Sequence, residues 1–336
     1  MTSAALPEGE EQARMGEHIV SLYHLNDITE AELRKHLPDH PGLRITEIGP
    51  DADPAGHRAE LATATIVLAP LEKERRIDAA LLDAMPNCRL IQSVAVGFDG
   101  VDHVAAAERG IPVANLPGFN ADAVADWTVG AMLHLLRHYA AGHRKVEQGG
   151  WGPEGLRGRD LSALTVAILG FGNIGRAVAR RLDGFGAEIV VHDPFPSEPG
   201  RQYVALEEAV ARADVLSLHM PLNDATRGLL GDELLATMPS GAYVVNAGRG
   251  GVIDEPALAR ALDSGHLAGA ALDVFAEEPL PADSPLRGRD DVLLTPHTAG
   301  VTWEAYHNLR NRLFDKLAAV LAGKSPVDVV NGVRPR

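Results

Sequence analysis

Val166-Ala167-Ile168-Leu169-Gly170-Phe171-Gly172-Asn173-Ile174-Gly175 is the stretch around which this chain is organised. Its four leading apolar residues predict a buried strand, its glycines have G-x-G-x-x-G spacing, and residues 176–182 continue with apolar residues at helical spacing. The first glycine permits a tight turn, the second lets a pyrophosphate reach the backbone, and the third lets the helix pack on the strand. The pyrophosphate would lie on the free N–H groups of the helix N-terminus. The stretch therefore predicts a dinucleotide-binding turn.

Asp193 follows the next predicted strand, residues 187–191, near the position where a carboxylate accepts the ribose hydroxyls of a dinucleotide. The same carboxylate would repel a 2′-phosphate, and the neighbours His192, Pro194 and Phe195 supply no arginine to hold one. We therefore predict that the cofactor is NAD rather than NADP.

Composition narrows the class of protein. A chain of 336 residues has room for two domains. The net charge of −15 argues against binding nucleic acid over a broad surface. Cys88 is the only cysteine, so an intramolecular disulfide and a Cys-rich metal site are excluded. With no secretion signal and no apolar run of transmembrane length, we expect a cytoplasmic protein that binds no metal, nucleic acid or membrane.

Strand-like and helix-like segments alternate along the chain, which predicts α/β architecture with parallel sheets. The first half contains strand candidates at 18–22, 43–48, 64–68, 90–94 and 112–114. The second half contains six strand candidates at 164–169, 187–191, 215–218, 243–246, 270–274 and 292–294. One long, Pro-free helix is expected over 121–146, where it could cross between domains or pack on a second subunit, and a final helix over 303–321.

Arg249, Glu278 and His297 each follow a predicted strand, at the carboxyl ends where open α/β sheets bind ligands. Arginine binds a carboxylate with two parallel hydrogen bonds, and histidine exchanges a proton near neutral pH. A neighbouring carboxylate would favour the imidazolium form of the histidine. With a nicotinamide, the three groups could reduce a 2-keto acid. Taken singly, each has a plainer reading as a surface charge or turn residue, and His297 is one of 14 histidines.

The sequence resembles the D-isomer specific 2-hydroxyacid dehydrogenase family from about Ala64 to Asn331. The segments that carry the resemblance are 96–102, 115–125, 170–175, 220–222, 245–250, 273–275 with Glu278-Pro279, and Thr295-Pro296-His297. The resemblance implies two Rossmann-like, doubly wound parallel-sheet domains, with the cofactor domain inserted into a flavodoxin-like substrate domain. It places the substrate-binding domain at 1–116 and 302–336, and the NAD-binding Rossmann domain at 117–301.

The resemblance also implies roles for individual residues. Arg249, Glu278 and His297 would be catalytic, and the backbone N–H groups of Val96 and Gly97 would hold the substrate carboxylate together with Arg249 and His297. Asp273 would meet the nicotinamide carboxamide, Asp193 the ribose, and Thr128 and Pro221 would line the cofactor site. The implied cofactor-binding set is Gly170, Gly172, Asn173, Ile174, Gly175, Asp193, Pro221, Thr128, Ala247, Asp273 and Gly300. A homodimer would form through the helix 120–146.

The expected reaction is reversible, NAD-dependent hydride transfer to C2 of a small 2-keto acid resembling glyoxylate or hydroxypyruvate. Two positions depart from the family pattern. Asp126 replaces a usual Glu, and Ala69-Pro70-Leu71 replaces a polar pair in the substrate loop, although Lys73, Arg75 and Arg76 lie nearby in sequence. Two alternatives stay open: an NAD-sensing, corepressor-like binding protein, and a short form of phosphoglycerate dehydrogenase.

Overall fold

The computed structural model describes residues 16–22, 30–37, 40, 42–49, 52–69, 76–196 and 198–334. Two compact units make up the chain: residues 1–119 with 306–336, and residues 120–305. Pro70, Leu71, Lys73 and Arg75 of the expected substrate loop lie outside the described residues. Both ends of the chain thus contribute to the first unit, and the second unit is continuous in sequence.

Twelve strands are assigned within the described residues. They are β1 (His18–Ser21), β2 (Arg44–Glu47), β3 (Ile66–Ala69), β4 (Leu90–Ser93), β5 (Val113–Ala114), β6 (Thr165–Leu169), β7 (Glu188–His192), β8 (Gln202–Tyr203), β9 (Val215–Leu218), β10 (Ala242–Asn246), β11 (Leu267–Leu272) and β12 (Val292–Leu294).

The α-helices of the same residues separate most of these strands. They are α1 (Glu30–His36), α2 (Arg58–Ala62), α3 (Ala79–Asp83), α4 (His103–Glu108), α5 (Ala121–Leu136), α6 (Tyr139–Glu147), α7 (Asn173–Phe185), α8 (Leu206–Arg212), α9 (Asp232–Leu235), α10 (Glu255–Asp263) and α11 (Trp303–Leu321). Every helix in the described ranges is too short or too polar to span a bilayer.

The first unit contains a five-stranded sheet in the order β2-β1-β3-β4-β5, and its ladders are parallel. This is the flavodoxin-like order. Alternate residues point to opposite faces of a strand, and both faces are covered here: Ile19 packs in one buried cluster and Val20 in another. Leu313 and Leu317 of α11 belong to the same cluster as Ile19, so the C-terminal helix covers one face of this sheet.

The second unit contains a seven-stranded parallel sheet in the order β12-β11-β10-β9-β6-β7-β8. Its order reverses at β6, as in a doubly wound dinucleotide-binding sheet. Ala167 and Leu169 of β6 pack on one face, and Val166 and Ile168 pack on the other. The expectation of two parallel α/β sheets is confirmed. The expectation of six strands in this half is wrong, because β8 forms a two-residue edge strand that leaves no pattern in the sequence.

The single helix expected over 121–146 is also wrong. The structure divides it into α5 and α6, which are separated by Arg137 and His138. His138 has φ 52° and ψ 42°, a left-handed conformation that an α-helix cannot contain. Neither residue is glycine or proline, so the local sequence carries no breaker signal at this point.

Candidate active site

The turn between β6 and α7 has the geometry that its glycines predict. Gly170 has φ +90°, a conformation that side chains disfavour. A Cβ on Gly175 would collide with the carbonyl oxygen of Gly170, whereas a Cβ on Gly172 would meet no atom within 4 Å. Gly172 is the N-cap of α7, and no side chain caps the helix there. The first N–H groups of α7 therefore stand beside open space, which fits the pyrophosphate of a dinucleotide.

Asp193 lies directly beside this turn. Its Oδ2 accepts a hydrogen bond from the Phe171 N–H at 2.6 Å, and its Oδ1 accepts one from the Phe195 N–H at 2.8 Å. Each carboxylate oxygen retains capacity for a further bond. The carboxylate is thus oriented by two backbone groups while it can still accept ribose hydroxyls.

A small apolar cluster joins two loops of the second unit to α5 and to the start of α7. Val124, Ala247 and Ala299 are buried together, and Ile174 of the dinucleotide turn packs against them. Ala247 precedes Arg249, and Ala299 follows His297. The cluster therefore links the loops that carry Arg249 and His297 to the turn that would hold the cofactor.

Arg249 is positioned by a buried asparagine at the end of β10. Asn246 is fully buried; its Oδ1 accepts from the Gly248 N–H at 3.0 Å, and its Nδ2 donates to the Arg249 carbonyl at 3.1 Å. The Arg249 guanidinium donates to the Gly248 carbonyl at 2.9 Å. Side-chain hydrogen bonds therefore hold residues 246–249 together. They fix the backbone position from which the Arg249 side chain extends.

Glu278 and His297 form a direct pair. His297 Nδ1 lies 2.9 Å from Glu278 Oε2. Glu278 Oε1 accepts the Phe275 N–H at 3.0 Å, so the carboxylate is held by its own loop while it faces the imidazole. The His297 side chain is 50% exposed and the Glu278 side chain is 21% exposed. Because Nδ1 faces Glu278 and the side chain is half exposed, the imidazole can present its other nitrogen, Nε2, to a substrate.

Asp273 holds the loop on which His297 stands. Its carboxylate is 1% exposed and accepts three bonds: Oδ1 from Thr295 Oγ1 at 2.5 Å and the Thr298 N–H at 2.8 Å, and Oδ2 from the Ala299 N–H at 2.8 Å. The His297 N–H donates to the Asp273 carbonyl at 2.8 Å. His297 itself has φ 55°, a conformation that costs energy for a non-glycine residue and persists only where its surroundings impose it.

The other expected cofactor residues have different settings. Thr128 is fully buried in α5, and its hydroxyl donates to the Val124 carbonyl at 2.7 Å. Pro221 follows β9, and its carbonyl accepts the Thr226 hydroxyl at 2.7 Å. A Cβ on Gly300 would meet the Asn120 side chain.

Val96 and Gly97 form the turn after β4 in the first unit. The Val96 carbonyl accepts from Asn115 Nδ2 at 2.7 Å, and the Gly97 carbonyl accepts from Ser93 Oγ at 2.6 Å. Both carbonyls are thus engaged, and within the described residues the Val96 and Gly97 N–H groups donate to no protein acceptor. Two adjacent free N–H groups suit an anionic oxygen.

The model of the family described as "D-isomer specific 2-hydroxyacid dehydrogenase, NAD binding domain" matches residues 129–299. A glyoxylate reductase of Thermofilum pendens is 39% identical over 76% of this chain and 78% of that protein. The chain belongs to the D-isomer specific 2-hydroxyacid dehydrogenase family. It is an oxidoreductase whose cofactor is NAD.

Two further relatives cover more of this dehydrogenase. A hydroxypyruvate reductase of Thermotoga maritima is 34% identical over 88% of the chain and 96% of that protein. The structure of an NADPH-dependent glyoxylate/hydroxypyruvate reductase of Sinorhizobium meliloti, in complex with NADP and malonate, is 29% identical, with a TM-score of 0.80 over 95% of this chain and 98% of that one.

Several polar residues that position the candidate site of this dehydrogenase were not singled out from sequence. Asn246 and Asn115 are 0% and 8% exposed and hold the loops described above. Each ends or follows a strand as the last polar residue before a loop, which is the signal that could have found them. Glu255 is a third, because it accepts the Ala276 N–H at 2.6 Å. No cluster of side chains able to hold a metal ion occurs in the described part of the chain.

Proposed function

We propose that this dehydrogenase catalyses the reversible, NAD-dependent reduction of a small 2-keto acid, with glyoxylate and hydroxypyruvate as the best substrates. The observation that carries the proposal is the contact of 2.9 Å between His297 Nδ1 and Glu278 Oε2, beside the Arg249 loop of the same sheet. The relatives described as glyoxylate and hydroxypyruvate reductases support the choice of substrates.

Proton transfer at the keto oxygen is assigned to His297. In the direction of reduction, the imidazolium donates a proton from Nε2 to the oxygen on C2, while Glu278 at Nδ1 stabilises the positive charge. In the direction of oxidation, the neutral imidazole accepts that proton. Glu278 also fixes the orientation of the ring, because its other oxygen is anchored on the Phe275 N–H. When bound, the nicotinamide supplies the hydride that C2 receives.

Carboxylate binding is assigned to Arg249 and to the turn at Val96 and Gly97. A guanidinium can bind a carboxylate with two parallel hydrogen bonds and polarise the adjacent carbonyl. As a separate proposal for the first unit, the backbone N–H groups of Val96 and Gly97 would bind an anionic oxygen of the substrate, since their carbonyls are already engaged by Asn115 and Ser93. The unit of 1–119 and 306–336 thus acts as the substrate domain.

A substrate panel tests this function. Initial rates are measured with NADH and glyoxylate, hydroxypyruvate, pyruvate, 2-ketoisocaproate, phenylpyruvate or phosphohydroxypyruvate. We expect kcat/KM to be highest for glyoxylate or hydroxypyruvate. A preference for phosphohydroxypyruvate would indicate a phosphoglycerate dehydrogenase instead. Binding of NADH without turnover of any keto acid would favour a corepressor-like protein.

NAD is proposed as the preferred cofactor because the Asp193 carboxylate stands beside the dinucleotide turn, where it would repel a 2′-phosphate. We expect kcat/KM for NADH to exceed that for NADPH by about tenfold or more. Asp193→Ala should reduce this ratio, chiefly by lowering kcat/KM for NADH. Equal use of both cofactors by the wild type would contradict the proposal, and the NADPH-dependent relative makes that comparison informative.

A homodimer through α5 and α6 is proposed because apolar residues of α6 and of the segment after it are exposed. None of the α6 residues is buried, and Tyr139, Val146 and Trp151 are 55%, 57% and 86% exposed. Exposed apolar residues clustered in one segment are typical of a subunit interface. Light scattering after gel filtration should give twice the chain mass, and Val146→Asp with Trp151→Asp should give monomers. A cytoplasmic location stays a prediction from the sequence.

A further inference from the structure

Glu255 carries a carboxylate that the proposed mechanism does not use. It is the first residue of α10, but the capping bond of that helix is made by its neighbour: Asp254 is the N-cap and accepts the Ala257 N–H at 3.0 Å. Glu255 instead accepts the Ala276 N–H at 2.6 Å, outside its own helix. The half-buried carboxylate is therefore directed at the loop that follows β11.

Two carboxylates hold consecutive N–H groups of that loop. Glu278 Oε1 accepts from Phe275, and Glu255 Oε1 accepts from Ala276. The bond from Phe275 closes the loop on itself, whereas the bond from Ala276 ties it to α10. Glu255 thus provides an external anchor for the segment that ends in Glu278.

The chain that leads from Arg249 to Glu255 lies against the same loop. A Cβ on Gly250 would overlap the backbone of Phe275, so only glycine allows the two segments to approach this closely. The segment that carries Arg249 therefore contacts the Glu278 loop at both of its ends, through Gly250 and through Glu255. This arrangement couples the position of the carboxylate-binding arginine to that of the proton-transfer pair.

Keeping the Glu255 carboxylate ionised costs free energy. The helix α10 does not need this charge, because Asp254 already caps it. Burial raises the pKa of the Glu255 carboxyl above its ordinary value, the Ala276 N–H opposes this shift, and the charge of Glu278 adds to it. Two carboxylates that repel each other are tolerated where a cation is formed beside them. His297 Nδ1 lies 2.9 Å from Glu278, so the imidazolium of the proposed proton transfer would form beside these two carboxylates.

We propose that Glu255 is a positioning residue, which fixes the loop 275–278 so that Glu278 meets His297 in the geometry of proton transfer. The assignment rests on the proposed function, because it takes Glu278 and His297 as the pair that moves the proton. Glu255 acts through Glu278 and does not touch the substrate.

A double-mutant cycle tests this role. Glu255→Ala should lower kcat about tenfold while the KM for NADH changes less than twofold, because a displaced Glu278 misorients the imidazole. Glu255→Gln keeps an oxygen that can accept the Ala276 N–H and should recover most of kcat. In a Glu278→Ala background, Glu255→Ala should add less than a twofold loss. Glu233→Ala is the matched control, since Glu233 is an exposed acid in the first turn of α9.

Hydrogen exchange of the peptide covering 273–280 provides a readout that does not depend on turnover. Exchange should be faster in Glu255→Ala and unchanged in Glu255→Gln. If Glu255→Ala does not fold, Glu255→Asp replaces it, because the shorter carboxylate cannot reach Ala276 and should show the same loss of kcat. Unchanged exchange, or a tenfold loss that persists in the Glu278→Ala background, overturns the proposal. Inactivity of the wild type toward every keto acid, with the exchange pattern as expected, overturns the proposed function alone.

Discussion

The dinucleotide turn and the Glu278–His297 pair lie in the same unit but are built differently. The turn is made of consecutive residues, and its geometry depends on where a Cβ is absent: Gly170 adopts φ +90°, and Gly175 lies against the Gly170 carbonyl. The pair joins two loops after different strands, and its geometry depends on side-chain hydrogen bonds, of which the 2.9 Å contact is one. In the proposed mechanism, backbone shape would therefore position the cofactor, and a side-chain network would position the proton donor.

The largest effect is expected at the pair. His297→Ala removes the group that transfers the proton, so kcat should fall about a thousandfold or more, in line with the usual contribution of general acid–base catalysis. The Kd for NADH, measured by fluorescence, should change little, because the turn at 170–175 is intact. Full turnover in this variant would show that His297 is not the proton donor.

Two glycine variants separate the roles within the turn. Gly172→Ala has room in the fold and should leave Tm nearly unchanged, but its methyl group occupies the space beside the first N–H groups of α7. We expect the Kd for NADH to rise about tenfold to a hundredfold, equivalent to one lost bond to a charged group. Gly175→Ala meets the Gly170 carbonyl and should instead destabilise the fold, by about 1–3 kcal/mol. The same response from both variants would contradict the distinction.

A smaller effect is expected at Asp273, whose carboxylate holds the loop that carries His297. Asp273→Asn replaces one acceptor oxygen with an NH₂ group that faces buried donors from the loop 295–299. The free energy of unfolding, measured in urea, should fall by about 1–3 kcal/mol, and kcat should fall with it. Asp283→Asn, on an exposed loop residue, is the control and should change neither.

The last prediction concerns how the stability of the protein depends on pH. His219 follows β9, and a Cβ on Gly170 would lie 2.7 Å from its carbonyl carbon. Burial lowers the pKa of His219 from 6.5 to about 4. Between these values the unfolded chain binds a proton that the folded chain does not, so stability declines as pH falls through this window.

His219→Gln removes that titration. Urea unfolding at pH 7 and at pH 4.5 should show a smaller loss of stability in the variant than in the wild type. The difference should be at most roughly 3 kcal/mol, the upper limit set by the shift in the pKa. An equal loss in both proteins would mean that His219 titrates normally in the folded state.

Much of the fold was predictable because it depends on local patterns. Runs of β-branched and apolar residues marked the central strands, and the final helix was expected at the bounds that α11 occupies. The break between α5 and α6 was not predictable, since His138 carries no sequence signal for its left-handed backbone. The edge strand β8, with two residues, was too short to show the alternation of apolar and polar residues that marks a strand.

The candidate site divides in the same way. The spacing of Gly170, Gly172 and Gly175 predicts a turn from residue types alone, because the steric demands act within one short segment. Arg249, Glu278 and His297 were singled out as polar groups at strand ends, but their spacing in sequence does not state which atoms meet. The supporting residues Glu255 and Asp273 take their roles from neighbours distant in the chain, whereas Asn246 bonds within its own loop.

By itself, the sequence determined the class of fold, the dinucleotide turn and the set of residues available for chemistry, because periodicity and glycine placement act over a few residues at a time. Only the tertiary structure decided that His297 Nδ1 faces Glu278, that Asp273 holds three groups of the His297 loop, and that Glu255 reaches Ala276. The physical reason is that these contacts join the segments that follow β10, β11 and β12, and their lengths are set by how the strands align in one sheet.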